Sequence, residues 1–171
     1  KIVGSNLDNS LLRSNKPMKL KMKFFLILAI SSMCITNTWA EEIVGKWKAM
    51  DDRSGYARAK INIYKLTDGS YEGTIEEIYA LPNQKEPYTD KCFRCKNELK
   101  DVPLIGMKIL YGFKKNINKT GEYTDGKVID PMSGNIYKGK MRLNTSGNRL
   151  NLRGYLGTSA LGRSQTWVKI E

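Results

Sequence analysis

Cys92 and Cys95 stand at Cys-x-x-Cys spacing among three cations, Lys91, Arg94 and Lys96. Three chemistries use that spacing. In an oxidising compartment the pair closes into a disulfide that staples its loop. A redox-active pair wants a helix N-terminus after a strand, and the neighbouring cations would favour its thiolate. Structural zinc wants four ligands, so Asp90, Glu98 or a second subunit would have to complete a metal site. The disulfide is the reading favoured here, and neither a metal nor a cofactor is expected.

The chain has no histidine. That removes the commonest general base, the Ser-His and Cys-His nucleophile pairs and the commonest metal ligand. Carboxylates occur as sequence neighbours, Asp51 with Asp52 and Glu76 with Glu77. Neighbours in a strand point to opposite faces, so this spacing does not build a paired acid and base. They read as solvated charge, and the chain is expected not to be an enzyme. Two further groups have binding chemistry. Asp130-Pro131-Met132-Ser133-Gly134 has the residues of a tight turn, with Asp130 as a polar contact at a barrel mouth in the functional reading. Arg153, Tyr155, Arg163, Gln165 and Trp167 share strand parity. Facing inward they form a ligand-orienting row; facing outward they are ordinary surface. Simple alternation gives the inner face of their strand to Leu150, Leu152 and Leu156.

These residues need strands to hold them. Gly45, Trp47 and Ala49 alternate with Lys46, Lys48 and Met50 in a first strand, and Ala59, Ile61 and Ile63 with Lys60, Asn62 and Tyr64 in a second. Asp68-Gly69 signals a hairpin into a third strand over 71–76, because Asp-Gly tolerates positive φ. Residues 80–103 break the pattern with three prolines and both cysteines, which predicts a long, specially tied loop. A fourth strand follows, with Ile105, Met107, Ile109 and Tyr111 on one face. Strands over 122–130, 136–143, 150–156 and 163–170 complete the chain, separated by turn-forming clusters. Eight short antiparallel strands fit an all-β, closed up-and-down barrel, and a sandwich is the alternative. Such a barrel is filled by side chains or holds one small ligand.

Residues 18–40 have the parts of a signal peptide. Lys19, Lys21 and Lys23 precede an apolar run from Phe24, and Thr38 and Ala40 provide small residues at the −3 and −1 positions. The run is short for a membrane span, which takes roughly 20 residues. Cys34 follows Ser31-Ser32-Met33, a poor lipidation context. Residues 1–17 read as a polar leader, disordered or a mis-assigned start. The working part is then one domain over 41–171, exported to the periplasm or beyond, with no stable transmembrane span after cleavage. Of 29 basic and 17 acidic residues, residues 1–40 hold six and one, leaving 23 and 16, a net +7. That is a moderately basic surface on which anionic lipid or lipopolysaccharide is a fitting partner and nucleic acid is not.

Several phrases then converge. Ile43-Val44-Gly45-Lys46-Trp47 opens the domain, and Asp101-Val102-Pro103-Leu104-Ile105-Gly106 follows the cysteine loop. The phrase from Gly126 through Asp130-Pro131-Met132-Ser133-Gly134 to Tyr137 comes next, before Leu152-Arg153-Gly154-Tyr155-Leu156-Gly157 and Leu161-Gly162-Arg163-Ser164-Gln165-Thr166-Trp167. Together they resemble the exported bacterial family catalogued as domain of unknown function 2147, across about 44–169. That resemblance implies export and fold and leaves activity open. More loosely, Gly45-x-Trp47 is similar to the opening of lipocalin-like and streptavidin-like barrels. There a Trp plugs one end and a basic residue from the last strand covers it, a part for Arg163 or Lys169 here. The leading expectation is a non-enzymatic barrel that binds a small apolar or amphiphilic ligand or an envelope component. Its cavity would be lined by Trp47, Ile61, Ile75, Met107 and Leu152. The alternatives are a filled barrel serving as a structural or interaction module, and an enzyme of unknown class.

Overall fold

The computed structural model describes residues 42–170. The expected leader and signal segment lie outside the described residues. Eight strands follow in order: β1 Gly45–Met50, β2 Ala57–Lys65, β3 Tyr71–Ile78, β4 Lys108–Lys115, β5 Glu122–Asp130, β6 Asn135–Leu143, β7 Arg149–Tyr155 and β8 Gly162–Lys169. Each pairs antiparallel with its neighbours in sequence, and β1 pairs with β8, so the sheet closes into a barrel. Closure leaves no edge strand to recruit another chain. The all-β, up-and-down expectation holds. Among the described residues the helices are single 3-10 turns at Asn97–Leu99 and Ser159–Leu161, and no helix is long and apolar enough to cross a membrane.

Period-2 alternation puts one set of side chains inside. Trp47 and Ala49 on β1, Ile61 and Ile63 on β2, Met141 and Leu143 on β6, and Leu150 and Leu152 on β7 are all buried. Their neighbours Lys48, Arg142 and Asn151 are exposed.

The fourth strand departs from its expected course. It begins at Lys108, because Gly106 takes a left-handed φ of 86° and Met107 N–H turns back onto the Leu104 carbonyl (3.0 Å). Of its expected inner face, Met107 and Ile109 are buried as expected and Ile109 lines the cavity described below, whereas Ile105 is exposed and the alternation fails beyond Ile109. Leu110 and Phe113 are the fully buried pair, and Tyr111 is only half-buried, turning its hydroxyl to the Lys108 carbonyl (3.0 Å). Two bulges cause this: Gly73 and Thr74 of β3 lie opposite Leu110 and Lys108, leaving Ile109 as an extra residue, and the three residues Tyr71 to Gly73 span four of β4, Leu110 to Phe113. Gly112, at φ 63°, makes the extra step of the second, and an inserted residue reverses the alternation beyond it. A second irregularity on β5, at Asp125 (φ 61°), puts Tyr123 and Gly126 on the inner face together.

Phe113 needs that arrangement. A methyl group at Gly126 would stand 2.3 Å from its ring, and one at Gly139 would stand 2.6 Å from it. The ring therefore lies across two strands with no side chain between.

Candidate functional site

The two ends of the barrel are built differently. One end receives the chain before β1 and the β2–β3, β4–β5 and β6–β7 turns. Trp47 closes it, fully buried, with its indole N–H donating to the Ile43 carbonyl at 2.8 Å. Lys169 Nζ, from the last strand, sits 5.7 Å from the Trp47 ring centre, a cation–π cover. Lys169 therefore takes the covering part, because Trp47 and Lys169 are register partners. Arg163 is a strand-length away. Tyr71 and Tyr123 meet edge to face at 5.0 Å beside this plug. Glu42 ties down the entering chain. It accepts from Tyr71 OH (3.0 Å) and Lys65 Nζ (3.1 Å), with Lys115 at 3.9 Å. Burial alone would raise the Glu42 pKa, but these hydrogen bonds and charges outweigh it and hold the carboxyl below its usual range.

The opposite end is hollow. A cavity of about 620 Å³ opens between the β1–β2, β3–β4, β5–β6 and β7–β8 connections. Its wall is apolar: Ala49, Ile61, Ile75, Val128, Leu152 and Trp167. Gln165 places a polar group beside them, as do Tyr137 and Thr89, and its side-chain oxygen accepts from the Trp167 indole at 3.4 Å. That volume lies in the range of small-molecule pockets, and so does the composition, apolar walls with few placed polar groups. Ile61, Ile75 and Leu152 line it as expected. Trp47 and Met107 do not: Trp47 is spent on the far plug, and Met107 precedes β4 in the turn.

Strand pairing divides the five-residue row. Leu150 lies opposite Trp167, Leu152 opposite Gln165 and Gly154 opposite Arg163, so Arg163, Gln165 and Trp167 share the inner face. Arg153 pairs with Ser164 and Lys140 and turns outward. Its guanidinium donates to the carbonyls of Ser159 (2.7 Å) and Ala160 (3.1 Å) and to Ser164 Oγ (3.0 Å). Arg153 therefore fastens the β7–β8 connection and has no place in the cavity. Tyr155 has the same outward parity, but it ends its strand and reaches the rim. Leu156 is 61% exposed on the rim rather than inside, because β7 stops at Tyr155. Common parity within each strand was visible in the sequence; which parity of β7 meets which of β8 was not.

Polar groups ring the mouth: Asp51, Arg53, Arg58, Asp130 and Arg163. Each carboxylate there is engaged. Asp51 Oδ1 accepts from the backbone N–H groups of Arg53 (3.0 Å) and Ser54 (2.7 Å), and Ser54 chiefly holds its pKa low. Asp52 takes both sides of the Arg163 guanidinium, with Nε at 2.7 Å, and that contact depresses its carboxyl. Asp130 accepts from Met132 N–H (3.0 Å) and Ser133 Oγ (2.8 Å), while Gly134 N–H returns to its carbonyl (2.8 Å). The tight-turn reading and the mouth position are both present at Asp130. Sequence reasoning missed Arg58, Tyr137 and the long-connection residues Pro87, Tyr88 and Thr89, all of which line the cavity. Tyr137 was legible in hindsight, since it shares parity with the inward Gly139 and Met141.

The profile of the bacterial family described as "Uncharacterized protein conserved in bacteria (DUF2147)" matches residues 45–169, which is the barrel from β1 through β8. The chain belongs to that family. No curated protein matches the chain. Among solved structures this DUF2147 barrel is similar to "Protein HP1028 from the human pathogen Helicobacter pylori belongs to the lipocalin family", at 17% identity and a TM-score of 0.61. The match covers 76% of this chain and 84% of that one. At that identity the likeness speaks to the fold.

In this DUF2147 member Cys92 and Cys95 are joined by a disulfide and are both buried. The cysteine turn is fitted against the mouth turn. Cys92 Sγ lies 3.6 Å from the Pro131 carbonyl, and a methyl group at Gly134 would overlap the Arg94 carbonyl at 2.0 Å. Gly134, at φ 72°, thus serves both the turn and the close approach. The staple fixes the long connection against the Asp130 turn, and Pro87, Tyr88 and Thr89 of that connection form part of the mouth.

Proposed function

We propose that this protein is an exported, non-enzymatic carrier that holds a small apolar or amphiphilic molecule in the open half of its barrel. The carrying observation is the cavity of about 620 Å³, with an apolar wall and a charged rim. An apolar portion inserted there loses its contact with water against Ile61, Ile75, Leu152 and Trp167, at about 25 cal/mol per Å² of surface buried. A polar end left at the mouth meets Gln165, Arg58 and the Arg163–Asp52 pair. The exported status rests on the basic, apolar and small-residue succession over 18–40. Binding is favoured over catalysis because Asp51, Asp52 and Asp130 are committed to turns or to Arg163, and no histidine is available.

Native mass spectrometry of protein purified from its own host tests this reading. A co-purifying molecule of a few hundred daltons is expected. Quenching of Trp167 fluorescence by a bromine-substituted fatty acid, measured in a Trp47→Phe background, is the solution counterpart. A clean apo mass together with no quenching would sink the proposal.

A further inference from the structure

The barrel has two unlike flanks. On the outer face of β1–β3, cations meet carboxylates: Lys60 reaches Glu77 (2.9 Å) and Glu76 (3.4 Å), and Lys46 reaches Glu76 (3.8 Å). Glu72 on β3 holds Lys108 at 2.5 Å. On the outer face of β5–β7 the arrangement is different. Lys127, Lys138, Lys140, Arg142, Arg149 and Arg153 all point away from the barrel. Lys127 lies directly opposite Lys138, and Lys140 opposite Arg153. Among the described residues none of the six forms an ion pair. The two acids on this flank are Glu122, opposite Arg142 and accepting from the Asn116 amide at 2.8 Å, and Asp125, accepting from the Thr124 hydroxyl at 3.2 Å.

Like charges directly opposite one another weaken a sheet. Two such pairs lie on adjacent strands; Asp125 stands beside Lys140 without forming an ion pair, and Arg153 is held by the Ser159 and Ala160 carbonyls, so the charge that remains is a cost that an anionic partner would reduce. The same strands end in apolar side chains left in water. Met132 leads into β6, Ile136 is its second residue at 52% exposed, and Leu156 and Leu161, at 61% and 81% exposed, follow β7. A soluble polyanion has no use for these side chains. A lipid surface uses both features, headgroup charge for the cations and the interfacial layer for the apolar tips. We infer that the β5–β7 flank, with the apolar rim at its mouth end, is a docking surface for a membrane rich in anionic phospholipid. Met132, Leu156 and Leu161 also border the cavity, so docking would bring its mouth to the lipid. The docking claim does not depend on the cavity being occupied.

Co-sedimentation of the purified protein with vesicles decides it. Vesicles of equimolar phosphatidylcholine and phosphatidylglycerol are expected to bind it, with affinity falling as salt rises, and pure phosphatidylcholine vesicles are not. The triple variant Lys127→Gln/Lys138→Gln/Lys140→Gln should lose on the order of 100-fold in affinity, from three surface cations. Lys46→Gln/Lys48→Gln/Lys60→Gln removes the same charge from the other flank and should lose little. Leu161→Ser should weaken vesicle binding while leaving inorganic polyphosphate binding unchanged. Equal losses in the two triple variants would reduce the effect to net charge and overturn the proposal. So would equal binding to neutral vesicles, or polyphosphate binding as tight as vesicle binding with no effect of Leu161→Ser. If the β5–β7 variant fails to fold, the salt dependence and Leu161→Ser, both read in otherwise unaltered protein, still decide.

Discussion

The closed and open ends of this barrel are made by the same eight strands, yet one is solid and the other hollow. The solid end concentrates the large side chains: Trp47, Tyr71, Phe113 and Tyr123 are fully buried there, with Glu42 anchoring the entering chain. The hollow end is lined by smaller groups, Ala49, Val128 and Gly154 among them, with Trp167 buried in its wall, while Tyr88, Leu156 and Leu161 stand out on the rim. Interiors pack to near-crystalline density when side-chain volume allows. The difference is therefore one of where volume was placed along each strand. The packed end supplies stability, and the sparse end is free to hold something else.

This contrast can be broken most severely at Trp47. Trp47→Ala removes the plug and its indole hydrogen bond, and should cost about 3–5 kcal/mol in chemical denaturation, as for other buried aromatic truncations. If it costs under about 1 kcal/mol, the closed end is not where stability resides. Next comes Gly126→Ala, which pushes a methyl group into the Phe113 ring. Overpacking of this kind should cost about 1–3 kcal/mol, with a lowered melting temperature.

The open end should answer in the opposite way. Leu152→Phe adds volume into empty space, so stability should change by less than about 1 kcal/mol, since nothing is overpacked. Fatty-acid quenching of Trp167 should be lost in the same variant. A large stability loss with intact binding would reverse the roles of the two ends.

The smallest effect is at Glu42. Its folded pKa lies below the ordinary value of 4.5, so its contribution is present above that pH and is lost as pH falls through the folded value. Glu42→Gln should lower stability at neutral pH by well under 1 kcal/mol, because the site is partly solvated and screened. The gap between variant and wild type should close below about pH 4.5. A gap that persists in acid would mean that packing, and not charge, accounts for it.

The cysteine loop sits apart from this contrast and was the more legible feature. The Cys-x-x-Cys spacing and the prolines of 80–103 marked a tied-down connection, and the disulfide and its fit against Gly134 are what the structure contains. Asp130 was equally readable, because Asp-Pro-x-Ser-Gly carries its own turn chemistry in adjacent residues. Along the fourth strand the alternation holds for Met107 and Ile109 and fails beyond them, because the extra residues at Ile109 and Gly112 change parity only through their pairing with β3. A bulge is a property of a pair.

What the sequence determined by itself was local: eight alternating segments, the turns between them, and the side chains of each strand that share a face. Alternation alone yields two faces per strand and does not say which is inside when two strands meet. Closure decided that. By pairing β7 with β8 so that Leu152 meets Gln165, it sent Arg163, Gln165 and Trp167 into the cavity and Arg153 out to the β7–β8 connection. By pairing β1 with β8 it set Trp47 under Lys169 and away from the hollow it was expected to line. Volume along the barrel axis is a sum over all eight strands at each level. No single strand carries it, so the position of the cavity belongs to the tertiary structure alone.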